Sequence, residues 1–259
     1  CTGFDSEKTA LLSKLNPSVD INNLRDNCLR LAAASRDEIF HYRLYEWLVR
    51  SKFTQTLLEL PQTEFLRRYL RSTFVSREDS HRDLLWKWLA RSRKYADAAS
   101  VLASIAESRD YTLSLAERIE YLSLAITHCK SATLDNPRDS SSYNEGFDEI
   151  APVELSDLEE LLEVAHTQYE VLKEARSVLG GPNETVCSEL DGLLGLLNVS
   201  DLFNKYANPY RLTESCLRLI HVSGLVNEHL VTQLWQEIIS KYINQNSDRS
   251  SFHQLGSKI

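Results

Sequence analysis

The chain has 259 residues, 42% of them hydrophobic, and sets 29 Lys and Arg against 37 Asp and Glu for a formal net charge of −8. That length and apolar content suffice for a folded core. The acidic excess is interspersed with basic residues, which leaves no phosphate-tracking basic stripe and argues against a direct nucleic-acid partner. No apolar run approaches the roughly 20 residues that cross a bilayer. The opening CTGFDSEKTA has neither the basic region nor the apolar stretch of a signal peptide, so a soluble, intracellular setting is expected.

Five cysteines, Cys1, Cys28, Cys129, Cys187 and Cys216, are scattered and never spaced Cys-x-x-Cys. They read as small core residues, not as a disulfide framework or a zinc site. Two glycosylation sequons, at Asn183 and Asn198, read as chance without a secretory signal. A chain that begins at Cys1 and contains no methionine is expected to be an interior fragment of a longer product.

Only 8 Gly and 6 Pro punctuate the chain, and the apolar residues between them recur at three and four, which is the helical period. In chain order, residues 36–50 place Phe40, Leu44, Trp47 and Leu48 on one helical face, and Pro61 stops a following helix. In KYADAASVLASIAES, Ala98, Ala99, Ala103 and Ala106 allow close helix approach. Residues 114–133 align Leu115, Ile119, Leu122, Ile126 and Cys129. Residues 134–154, acidic and rich in Ser, read as an exposed loop. A long helix follows, with Leu158, Leu161, Leu162, Ala165, Tyr169, Leu172 and Leu179 on one face. Gly180-Gly181-Pro182 ends it, and Pro209 and Gly224 bracket a helix with Leu212, Cys216, Leu219 and Ile220. The last helix carries Leu230, Leu234, Ile238 and Tyr242. Ser18, Ser114, Ser156 and Asn227 are candidate N-caps.

LYEWLVRSKF at 44–53 returns as LWKWLARSRKY at 85–95. Each copy is a helix end, a turn at Arg50-Ser51 or Arg91-Ser92, and a second helix start. A period near forty is the sign of stacked helical pairs whose neighbours complete one another's core. The expected fold is all-α, an irregular α-solenoid of stacked antiparallel hairpins running as one array over 1–259, with an irregular bundle as the alternative. Equivalent Trp47 and Trp88 are expected in the core with Phe40, Leu122 and Trp235. Equivalent Tyr45 and Trp86 fall off that stripe and, with Tyr42, are candidate residues of a peptide-binding groove; the competing reading packs them between repeats.

One constellation points toward an enzyme. Glu38 with His41 and Glu163 with His166 both spell Glu-x-x-His on helices, as in di-iron carboxylate bundles. The spacing is common by chance, and Glu38 at a helix start has an ordinary stabilising role. No His-Glu-x-x-His, Gly-rich phosphate loop or Gly-x-Ser-x-Gly elbow occurs. No catalytic residue, metal or cofactor is therefore expected.

Five stretches, in this order, carry more information than their periodicity: DEIFHYRLYEWL at 37–48, DLLWKW at 83–88, SLAERIEYLSLAI at 114–126, DLFNKYANPYRLTESCLRLIHVSG at 201–224 and LVTQLWQEII at 230–239. Together they resemble the C-terminal α-solenoid of the large non-repetitive scaffold nucleoporins of the inner ring, the Nup-one-fifty-five/one-seventy family. The acidic loop at 134–154 is longer and more polar than that family would suggest. The resemblance implies a nuclear pore scaffold protein at the nuclear envelope, whose full chain begins with a β-propeller followed by a long solenoid. It also implies a role in nucleocytoplasmic transport, with linker nucleoporins bearing Gly-Leu-Phe-Gly or related segments as partners. A passive spacer without a peptide groove is the alternative within that family.

Overall fold

The computed structural model describes residues 21–77, 79–135, 151–179, 184–225 and 227–245, which form helices and turns with no strand. The candidate cap Ser18 and most of the acidic loop lie outside the described residues. The helices are α1 (Ile21–Ala33), α2 (Glu38–Arg50), α3 (Thr54–Glu59), α4 (Glu64–Val75), α5 (Leu84–Arg91), α6 (Tyr95–Glu107), α7 (Leu115–Asp135), α8 (Leu155–Leu179), α9 (Glu184–Ser188), α10 (Val199–Asp201), α11 (Thr213–Ser223) and α12 (Glu228–Gln245). Within the single array expected from the sequence, two compact units separate, Cys1–Trp88 and Leu89–Ile259.

Several helix ends are written locally. Asp37 caps α2 by accepting from the Ile39 and Phe40 amides, and Thr63 caps α4 by accepting from that of Leu66. Ser114 and Glu117 form a reciprocal capping box at α7. Asn227 accepts from the Leu230 amide at α12. Ser156 lies inside the first turn of α8 and does not cap it. Leu60 turns extended before Pro61 and ends α3.

The repeated turn has the same backbone in both copies. Lys52 (φ 62) and Arg93 (φ 58) are left-handed. The Phe53 amide donates to Leu48 O at 2.8 Å, and that of Lys94 donates to Leu89 O at 2.9 Å. The Lys52 and Arg93 amides reach Val49 O and Ala90 O. This is the Schellman pattern, in which two orphan carbonyls at a helix end are satisfied at once. Arg211 (φ 53) repeats it before α11, with Leu212 N donating to Ala207 O at 2.9 Å. A basic residue replaces the usual Gly, and its charge sits at the negative end of the helix dipole.

In the first unit, α2 packs against α3 and α4. Its buried face is His41, Tyr45 and Leu48, not the Phe40, Leu44, Trp47 and Leu48 stripe read from the sequence. Phe40 is 42% exposed and Trp47 is 55% exposed, so neither is core. The reason is hydrogen bonding. The His41 ring accepts from Tyr45 at Nδ1 (3.0 Å) and donates from Nε2 to Ser35 O (2.8 Å), while the Tyr45 hydroxyl lies 3.3 Å from Thr63 Oγ1. Polar side chains enter a core once their groups are satisfied, and the carbonyl fixes the His41 tautomer.

In the second unit, α6 packs against α7, and Ala98, Ala99, Ala103 and Ala106 are buried. Burying the alanine face lets the two backbones approach. Leu115, Leu172, Leu202, Leu219 and Leu234 belong to a second core that joins α7, α8, α11 and α12. Leu122 is buried and Trp235 is half-buried here, and Trp88, at the end of the first unit, is buried as expected. Tyr169, expected on the apolar face of α8, is 42% exposed, and Gln168 takes the interior position beside it.

Three buried or half-buried polar side chains hold this unit's irregular segments. Arg118 donates to the carbonyls of Ala106, Ser108, Tyr111 and Gly192, so a cation meets the C-terminal end of α6. Burial pulls the pKa of its guanidinium below the usual arginine value, opposed by the charge of Glu117. Gln168 donates to Leu190 O and Gly195 O and accepts from the Leu197 amide, which ties down a π-helical kink at Glu189–Leu193. Gly192 sits there at φ 102, where an added Cβ would lie 2.7 Å from Leu113 O. Glu174 accepts from the amides of Glu214 and Ser215 and caps α11 from another helix.

Candidate functional site

One face of α2 borders an open groove of about 1130 Å³, closed on its other side by α4. Ile39, Tyr42, Arg43, Glu46 and Val49 come from α2, and Tyr69, Ser72, Thr73 and Ser76 from α4 and its end. Spacing explains the α2 wall: 39, 42, 46 and 49 advance by three and four, one helical face. Ile39 is 73% exposed at the rim. The Tyr42 ring meets Tyr69 edge-on at 5.4 Å, which fixes both rings in the floor.

Charge is arranged unevenly along this groove. Glu46 is shared by Arg43 at 3.6 Å and Arg50 at 2.6 Å, and Glu38 pairs with Arg68. Lys52, carried by the left-handed turn, adds a further cation at the end beside Thr54. The lining thus holds Arg43, Arg50 and Lys52 against two carboxylates. On the α4 wall each hydroxyl proton is spent on the helix's own backbone: Ser72 donates to Tyr69 O, Thr73 to Leu70 O and Ser76 to Thr73 O. Their remaining lone pairs are acceptors.

Of the three residues expected to bind a partner, the structure places Tyr42 in the groove and the other two elsewhere. Tyr45 is 2% exposed and belongs to the buried network with His41 and Thr63. Burial pushes its phenol above the usual tyrosine value, with the Thr63 hydrogen bond acting the other way. A ring this enclosed has no face for a ligand. Trp86 is half-buried; its indole donates to Asp83 at 3.1 Å and Lys87 stands 5.3 Å from its ring. It is not part of the groove lining. Sequence reasoning missed the α4 wall, whose polar Ser72, Thr73 and Ser76 give no apolar signal.

The two Glu-x-x-His motifs do not assemble a centre. His41 is committed through both nitrogens, Glu38 pairs with Arg68, and His166 is exposed. Among the described residues no group of three or more His, Cys, Asp or Glu could hold a metal ion. No helix among them is long and apolar enough to cross a membrane.

Residues 5–259 match the family of non-repetitive/WGA-negative nucleoporin C-terminal domains. The chain belongs to this family. Among curated members, it is 31% identical over 208 residues to the probable nucleoporin C890.06 of Schizosaccharomyces pombe and 26% identical over 212 residues to Nup154 of Drosophila melanogaster. Those matches take in 79% and 81% of the chain and 15% of each relative, so it spans a small part of their length. Among solved structures, a complex of the Chaetomium thermophilum Nup170 C-terminal domain with Nup145N superposes with a TM-score of 0.65 at 23% identity, over 97% of this chain and 46% of that one. The shared fold is the α-solenoid of stacked helical hairpins, in agreement with the sequence reading.

Proposed function

We propose that this nucleoporin C-terminal chain is a structural scaffold module of the inner ring of the nuclear pore complex. In this reading it supports nucleocytoplasmic transport by docking linear segments of other nucleoporins in the groove between α2 and α4. Family membership supports the scaffold role, and the solved complex of the Nup170 C-terminal domain with Nup145N is a precedent for a related domain binding another nucleoporin. The observation that carries the docking site is the groove itself: a volume of about 1130 Å³, floored by Tyr42 and Tyr69 and rimmed by the exposed Ile39. Aromatic rings held rigid beside an aliphatic rim suit one or two apolar anchors of a short segment. Catalysis needs no place in this role.

The test is calorimetric titration of the chain with linker-nucleoporin segments, including Gly-Leu-Phe-Gly types, repeated with Tyr42→Ala. Binding with Kd on the order of micromolar or tighter, about 8 kcal/mol, is expected for at least one segment. Tyr42→Ala should weaken it by tenfold or more with an unchanged unfolding midpoint. Silence across the panel would leave a spacer without a peptide site, and equal binding by Tyr42→Ala would move the site off this groove.

A further inference from the structure

We infer that the occupant of the α2–α4 groove is a short acidic segment with one apolar anchor, an assignment that rests on the docking reading above. Charge complementarity carries it. Arg43, Arg50 and Lys52 line the groove, while Glu46 is divided between two arginines and Glu38 is engaged by Arg68. An incoming carboxylate therefore competes for cations that the groove's own acids leave incompletely neutralised. A basic segment would meet Arg43 and Arg50 along the same wall and would have to break their pairs with Glu46 to gain an acid.

The opposite wall selects the same class of ligand by a different route. Ser72, Thr73 and Ser76 have spent their protons on backbone carbonyls, so this wall presents acceptors and receives N–H donors. A peptide backbone supplies those donors; a compact anion does not. Between the walls the half-buried Tyr42 ring, held edge-on by the buried Tyr69, accepts the anchor. The occupant that fits all three surfaces has acidic side chains toward α2, backbone amides toward α4 and an apolar side chain on the floor. Exposed rim charges act chiefly on encounter and selectivity, so the preference fades with salt.

The experiment titrates three labelled synthetic peptides into the full chain by fluorescence anisotropy: Asp and Glu around a single Phe, the same peptide with Asn and Gln, and the same with Lys. At low salt the acidic peptide should bind about tenfold tighter than its amide analogue, with the gap narrowing as salt rises. Lys52→Glu should remove that gap. Lys173→Glu, an exposed charge on α8, should leave it in place. Equal binding of the amide analogue, tighter binding of the Lys peptide, or binding by none of the three would overturn the acidic occupant. A linker segment that still binds through Tyr42 with no charge or salt dependence would leave docking standing and remove the acidic assignment alone.

Discussion

The two copies of the repeated hairpin are alike in their backbone and opposite in their tryptophans. Lys52 and Arg93 take the same left-handed turn with matching hydrogen bonds. Yet Trp47 is 55% exposed while its equivalent Trp88 is 4% exposed. Position 45 inverts the pattern: Tyr45 is buried and its equivalent Trp86 is half-buried. A turn is decided by groups within a few residues, so repeating the words repeats the turn. The buried face is decided by what the helix meets, and the first copy meets Thr63, which satisfies the Tyr45 hydroxyl. The second copy turns its position-45 equivalent to a local partner, Asp83, on its own helix edge.

The strongest way to break this contrast is to truncate both tryptophans. Trp88→Ala should cost about 3–5 kcal/mol in denaturant unfolding, as for a large ring removed from a core, and Trp47→Ala less than about 0.5 kcal/mol. Comparable costs would show that the copies share a core face after all. A smaller effect is expected from Tyr45→Phe, which leaves the buried His41 Nδ1 without its donor; the loss should be about 1–2 kcal/mol. No loss would mean that the network does not hold this face inward. The smallest effect sharpens the other half of the comparison. Lys52→Gly and Arg93→Gly should each raise stability by roughly 0.5 kcal/mol, because Gly adopts the left-handed backbone without a Cβ clash. Opposite signs at the two turns would show that the shared geometry is not shared energetics.

Much of this fold is legible in the sequence because much of it is local. Pro61, Gly224, the Ser114–Glu117 box and the repeated turn each act over one turn of helix. What stayed hidden depends on contacts far along the chain. Arg118 occupies an interior position of α7 between Leu115 and Leu122, and it belongs there because Gly192, 74 residues on, offers a carbonyl. Gln168 likewise answers Gly195 and Leu197. Helical register was the available signal: 115, 118, 122 and 125 share a face, as do 165, 168, 172 and 175. Reading polarity ahead of register hid both residues and also turned α2 the wrong way. Tyr42 was visible as an aromatic off the apolar stripe, but the groove beside it needs the approach of α4, which no short stretch of sequence encodes.

The central claim is that a nucleoporin segment docks between α2 and α4. Hydrogen exchange of the full chain, free and saturated with the tightest-binding linker segment, tests it most directly, because amide protection reports where a ligand orders the backbone. The account predicts added protection concentrated in residues 38–50 and 69–76. Protection confined to α6–α12, with α2 and α4 unchanged, would contradict it.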